Sequence, residues 1–366
     1  MPSKKRTQLS TKHLKKSQGE NNDTIELESL KNDNGNSDDL VEQGIKYFAD
    51  SDFKSAMKCF DNALKENPND EIVWNNKGVI YDAIGAHDDA IKCYDRSLKI
   101  NPKFDLAWYD KGNTLRYMGD LQGAIKAYDN ALKYNPKSAE AWNDKGELLQ
   151  IMGEVEKALD CYNKVIDIGM INEITLNNKG VVLDNLERHK EAMVCYDKAL
   201  KMSPNYDVAW VNRGSSLVFQ NKYKQALKSY DKAISINPTN EFAWSLKGDL
   251  LAHLNKLDSA VKCYNKAIEI NKDMVDAYKG FADVLTQQGK LEEALNLYNK
   301  ALRLDNTHAD VWSRKGIILS HMKSYKNAIR CLRKSIKLKA DPGVKDLLDR
   351  LVYEQKEHRK FMKERK

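Results

Sequence analysis

Six cysteines and seven histidines are the side chains of this 366-residue chain best equipped for covalent or metal chemistry. The cysteines are Cys59, Cys93, Cys161, Cys195, Cys263 and Cys331, and every interval between neighbours is 34 or 68 residues. A zinc site pairs its ligands closely, and a small disulfide framework closes short loops, so this spacing fits neither. Thiols one interval apart on helices stacked side by side would lie about 8–10 Å from each other, beyond the reach of a disulfide. The placement predicts small buried hydrophobes in a reducing, cytoplasmic setting. His13, His87, His189, His253, His308, His321 and His358 show no ligand spacing, and no metal site is expected. The phosphate-cradling GxxxxGK[ST], the metalloprotease HExxH and the nucleophile elbow GxSxG do not occur. The expectation is a chain that is not an enzyme, with no catalytic residue, no cofactor and no small-molecule substrate. Asn22-Asp23-Thr24 matches a glycosylation sequon, but the opening MPSKKRTQLSTKHLKK lacks the apolar core of a secretory leader, so the match is read as meaningless. No apolar run is long enough for a membrane-spanning helix, and no membrane insertion is expected.

The interval that separates the cysteines also organises everything else. Units of 34 residues begin at Ser37, Glu71, Asp105, Ala139, Glu173, Asp207, Glu241, Val275 and Ala309, and the ninth closes at Pro342 with no insertion anywhere. Position 20 of the unit is Ala in all nine, from Ala56 to Ala328. All six tryptophans fall at position 4: Trp74, Trp108, Trp142, Trp210, Trp244 and Trp312. Position 8 is Gly in eight units, with Ala282 the exception, and position 24 is aromatic in eight, with Leu332 the exception. Position 32 is Pro68, Pro102, Pro136, Pro204 and Pro238 in five units.

Positions 4, 8 and 11 recur at helical spacing and give a first helix, A, one packing face; positions 20, 24 and 27 do the same for a second, B. Small residues at 8 and 20 let two backbones approach, and the aromatics at 4 and 24 fill the volume around them. Proline at 32 cannot continue helix B. A turn near position 15, at Gly85, Gly119, Gly153, Asn221, Asn255 and Gly289, separates A from B. Only 7 prolines and 18 glycines in the chain agree with a mostly helical fold. Position 7 is basic (Lys77, Lys111, Lys145, Lys179, Arg213, Lys247, Lys315) and position 25 is often Asp or Asn (Asp95, Asp129, Asn163, Asp197, Asp231, Asn265). This pairing predicts a lysine stem that packs while its ammonium reaches position 25 of a facing helix; the simpler reading is an exposed lysine.

The W-x-x-x-G, A-x-x-x-Y and proline pattern, repeated in register over residues 37–342, resembles the tetratricopeptide repeat family. The resemblance implies an all-α fold: an α-solenoid wound as a right-handed superhelix of nine helix–turn–helix repeats, with the A helices lining a concave groove. Residues 1–36 read as a disordered polar tail. Residues 343–366 read as a basic capping helix, with Val344, Leu347, Leu348, Leu351 and Val352 as its apolar stripe. Unit 4 ends in Asp167-Ile168-Gly169-Met170-Ile171 in place of a proline turn, which reads either as drift in one copy or as a bend.

The function that the resemblance implies is a non-enzymatic scaffold holding peptide or protein segments in the groove. Its concave positions correspond here to Asn75, Asn76, Asp110, Asn113, Asn143, Asp144, Asn177, Asn178 and Asn212, followed by an apolar patch of Phe219, Phe242 and Leu246. Asn76, Asn178 and Asn212 are similar to the asparagine ladder of some family members, which would grip a peptide backbone. The acids favour a Lys- or Arg-containing partner, and the patch suits an apolar anchor. The residue set of the family's carboxylate clamp occurs in no three consecutive units. A second function is raised by charge: residues 309–366 hold 17 Lys and Arg against 7 Asp and Glu, whereas residues 37–308 hold 36 against 41. That basic end could meet nucleic acid or another polyanion, although a solvated cap has the same composition.

Overall fold

The computed structural model describes residues 37–364, which form helices and turns and, among the described residues, no strand. The polar tail and the sequon at Asn22 lie outside the described residues. Two compact units divide the chain, the first ending at Leu186 and the second beginning at Glu187. In the first, the A helices are α1 (Ser37–Ala49), α3 (Glu71–Ala83), α5 (Asp105–Tyr117), α7 (Ala139–Ile151) and α9 (Glu173–Asn185). Its B helices are α2 (Phe53–Glu66), α4 (His87–Ile100), α6 (Leu121–Tyr134) and α8 (Val155–Asp167). The second unit holds the B helices α10 (His189–Met202), α12 (Tyr223–Ile236), α14 (Leu257–Ile270), α16 (Leu291–Leu304) and α18 (Tyr325–Leu338). Between them run the A helices α11 (Asp207–Phe219), α13 (Glu241–His253), α15 (Val275–Gln287) and α17 (Ala309–His321), and α19 (Pro342–Glu364) follows. Within each unit a helix packs on its neighbours in sequence, the arrangement of an α-solenoid.

Each helix boundary has a local cause. Asp52, Asp70, Asp120, Ser138, Asn172 and Asn240 accept hydrogen bonds from backbone N–H groups of the first turn that follows them. Position 15 is left-handed in all nine repeats. The six residues predicted there are joined by Ser51 (φ 62°), Glu187 (φ 59°) and Lys323 (φ 61°), whose types give no hint of it. The next N–H bonds back across the turn, as from Ala86 to the Tyr81 carbonyl at 2.8 Å, and this closes helix A.

Packing follows the small-and-large pattern. A β-carbon on Gly78 would stand 2.5 Å from the Tyr94 ring, and one on Gly214 2.5 Å from the Tyr230 ring. The position-24 rings from Phe60 to Tyr298 are fully buried. Tryptophan does more than fill space. Trp74, Trp108, Trp142, Trp210 and Trp244 each donate Nε1–H to the carbonyl of the preceding repeat's position-32 proline at 3.0 Å. Trp312 donates to Asn306, which stands where the proline would be. The basic residue at position 7 lies over the same ring, with Lys77 Nζ 5.3 Å from the Trp74 centroid, and reaches position 25 of the preceding B helix. Lys77–Asp61, Lys111–Asp95 and Lys145–Asp129 pair at 2.5 Å, Lys247–Asp231 at 2.7 Å and Arg213–Asp197 at 2.8 Å. Helix α19 lays Val344, Leu347, Leu348, Leu351 and Val352 on Ala328, Ile329, Cys331 and Leu332.

Candidate functional site

The asparagine row meets the structure first. Asn75, Asn76, Asp110 and Asn177, expected to line the groove, are buried within the stack. Three of them have partners in a neighbouring repeat or the adjoining residue. Asn75 Nδ2 donates to Asp110 Oδ2 at 3.0 Å, and Asn177 Nδ2 donates to Asn178 Oδ1 at 3.2 Å. Asn113, Asn143, Asp144, Asn178 and Asn212 are half-buried. Tyr109 donates to Asp144 at 2.6 Å, Thr175 to Asn143 at 2.9 Å and Tyr128 to Asn113 at 2.7 Å. Burying a polar group favours satisfying it internally, so much of this row knits repeat to repeat. Of the ladder Asn76, Asn178 and Asn212, Asn76 is buried while the other two keep some exposed surface, and the groove positions Asn75, Asp110 and Asn177 have almost none to offer a guest. The hydroxyls of Tyr109, Thr114 and Thr175 are the partners that reading polarity alone misses. Their signal is complementary polar groups 32 to 35 residues apart.

The apolar patch also divides. Phe219 is exposed and stacks on His189, with ring centroids 5.0 Å apart and planes 3° from parallel. Phe242 and Leu246 instead wall a cavity of about 550 Å³ inside the second compact unit. Helix α13 supplies Phe242, Leu246 and Asp249; α15 supplies Asp276, Lys279, Gly280 and Asp283; Tyr264 of α14 and Arg314 of α17 complete the setting. Gly280 lines the cavity with backbone alone, which lets the Tyr264 ring pack against that backbone. It occupies position 6, where other repeats carry Asn76, Asp144, Asn178 or Asn212, and a β-carbon there would meet the Tyr264 ring at 2.6 Å. This bare position was visible in the sequence only as a departure from its neighbours.

The charges around the cavity are not equally compensated. Arg314 contacts Asp283 at 3.1 Å and Asp310 at 3.3 Å, and Lys279 contacts Asp310 at 3.1 Å. Tyr298 donates to Asp283, and Tyr264 donates to Asp249 at 2.7 Å. Asp249 thus has a hydroxyl donor but no cation within ion-pair distance among the described residues. Solvent reaches it through the open cleft, yet the surrounding walls desolvate its carboxyl and push it above the usual range, against the Tyr264 hydrogen bond. Desolvation pushes Asp283 in the same direction. The arrangement is an apolar wall beside a carboxylate suited to an added cation.

The remaining candidate chemistry is quiet. All six thiols are buried, and burial raises those of Cys93 and Cys161 to about 11. No group of three metal-ligating side chains converges among the described residues, and no described helix is long and apolar enough to cross a membrane.

Known proteins match along the chain. One family model described as a tetratricopeptide repeat matches residues 72–104, 174–206, 208–240 and 242–274, and a second matches residues 109–170. A model described as a TPR repeat matches residues 282–323, and another tetratricopeptide repeat model matches residues 309–342. No curated protein matches the chain. Among solved structures, the tetratricopeptide repeat protein from Parabacteroides merdae ATCC 43184 is 15% identical. That match covers 68% of this chain and 98% of the other, with a TM-score of 0.54, and the likeness is one of fold. YrrB, described as a TPR protein with an unusual peptide-binding site, is 23% identical; the match covers 51% of this chain and 96% of YrrB, with a TM-score of 0.42. Matched models run through most of the helix pairs whose tryptophan, glycine and tyrosine contacts are described above, and the chain belongs to the tetratricopeptide repeat family of protein–protein interaction scaffolds.

Proposed function

We propose that this chain is a non-enzymatic scaffold that takes an extended segment of a partner protein, with one Lys or Arg seated in the cleft of Phe242, Leu246 and Asp249. The cleft itself is the observation that carries this reading: about 550 Å³ of open space beside a carboxylate with no cationic partner among the described residues. An aliphatic stem would lie along Phe242 and Leu246 while its charged head meets Asp249. The half-buried amide of Asn212, in the same compact unit, adds a polar contact. The six buried thiols suit a reducing, cytoplasmic compartment.

The test is an array of immobilised 12-residue peptides probed with the full chain. Enrichment of peptides with Lys or Arg next to an apolar residue is expected. Asp249→Asn should weaken the best of them by about tenfold or more, the worth of a charge-assisted hydrogen bond. Capture that ignores Lys and Arg, or that is unchanged in the variant, would overturn the assignment.

A further inference from the structure

The last B helix carries a surface that groove binding does not use. Helix α18 is the one B helix among the described residues without an Asp or Glu, and it carries Lys326, Arg330, Arg333, Lys334 and Lys337. All five are exposed. Their spacing of i, i+4, i+7, i+8 and i+11 places them within about 100° of helix circumference, on one stripe. None of the five makes an ion pair or hydrogen bond with a described residue. The contrast with the other repeats is sharp at position 25. There Asp61, Asp95, Asp129, Asp197 and Asp231 each receive a cation from the following repeat, whereas unit 9 presents Arg333.

We propose that this stripe docks the phosphate backbone of a nucleic-acid duplex, without reading its sequence. At a rise of about 1.5 Å per residue, eleven residues from Lys326 to Lys337 extend about 16 Å, or one cation every ~4 Å. A strand of duplex carries one charge every ~3.4 Å, a close match in density. A lipid surface fits less well. The apolar face of α18, with Ala328, Ile329, Cys331 and Leu332, is buried against the stack and α19, and Tyr325, Ile336 and Leu338 are half-buried, so no fully exposed apolar side chain is left on the helix to enter a bilayer. An acidic protein would offer carboxylates without this regular spacing.

The test uses the full chain and a fluorescein-labelled 20-base-pair DNA duplex of random sequence, with anisotropy read between 50 and 200 mM salt. Five phosphate contacts predict a loss of about 500-fold in affinity over that range. K326Q/R330Q/R333Q/K337Q should lower the logarithmic salt slope by about 3.6, at 0.9 per contact. A variant of equal net charge, K224Q/K228Q/K232Q/K262Q on α12 and α14, should leave the slope near that of the parent. Circular dichroism confirms that both remain folded, as expected for exposed substitutions. An unchanged slope in the first variant would overturn the proposal, as would equal slopes in the two, which would indicate bulk charge. Binding to phosphatidylserine vesicles but not to duplex would also reject it.

Discussion

Asp249 sits where binding and folding pull in opposite directions. Its walls raise the carboxyl above the ordinary range, so the native chain holds that proton more tightly than the unfolded chain does. A raised carboxyl makes stability fall as pH rises through the interval between the two pKa values. Replacing Asp249 by Asn keeps an acceptor for the Tyr264 hydroxyl and removes the charge. Thermal melts should therefore place D249N at or slightly above the parent at pH 7, with the difference shrinking once both forms are protonated near pH 3. Binding of a cationic peptide should move the other way, fading on acidification earlier than an ordinary aspartate would allow. A variant that loses both stability and affinity would point to misfolding in place of a lost contact. The glycines of position 8 give a sharper stability test. Gly78→Ala gains about 1 kcal/mol of helix propensity. It also drives a methyl to 2.5 Å from a fully buried tyrosine ring, and overpacking of that kind costs about 1–3 kcal/mol. Set against the propensity gain, the clash leaves a net loss of up to about 2 kcal/mol, which urea unfolding should show.

The helix pair shows which features a sequence can announce. Glycine at 8 and tyrosine at 24 recur so regularly that their contact could be predicted, and so could the lysine of position 7 reaching position 25. The turn at position 15 was legible only where Gly or Asn occupied it. Ser51, Glu187 and Lys323 adopt the same left-handed backbone because the two helices they join demand it, and no residue type signals that. A left-handed non-glycine carries a cost of about 1 kcal/mol, partly offset by the extra chain freedom that Gly loses on folding. Ser51→Gly should then stabilise the first repeat by about 0.5 kcal/mol, seen as slower amide exchange in α1 and α2. The buried row at Asn75 and Asp110 was illegible for another reason. Polar side chains on a helix read as solvated until a partner is found, and here the partner lies 35 residues away on a different helix.

Across the whole molecule, the clusters that hold the fold are local. One runs from Leu40 to Ile91 and includes Tyr94; another runs from Leu106 to Met152; neither needs distant chain. The 34-residue period made this architecture readable, whereas the division at Leu186 and Glu187 has no mark in the repeat pattern, since the period runs through it unbroken. Stability in such a chain is a sum over neighbours, so an end repeat without a neighbour is the weakest place. Here α19 is that neighbour for α18: Leu351 is buried, and four further apolar residues of α19 pack beside it over Ile329 and Leu332. Removing α19 by ending the chain at Asp341 would bare that face while leaving every other cluster intact. Calorimetry of the shortened chain should show an early transition for the last repeat, absent from the parent, with the later transition unchanged. Amide exchange should speed up in α17 and α18 but not in α3 to α6. A uniform fall of the whole melting curve would instead mean that the repeats unfold as one body, and the nearest-neighbour account of this chain would fail.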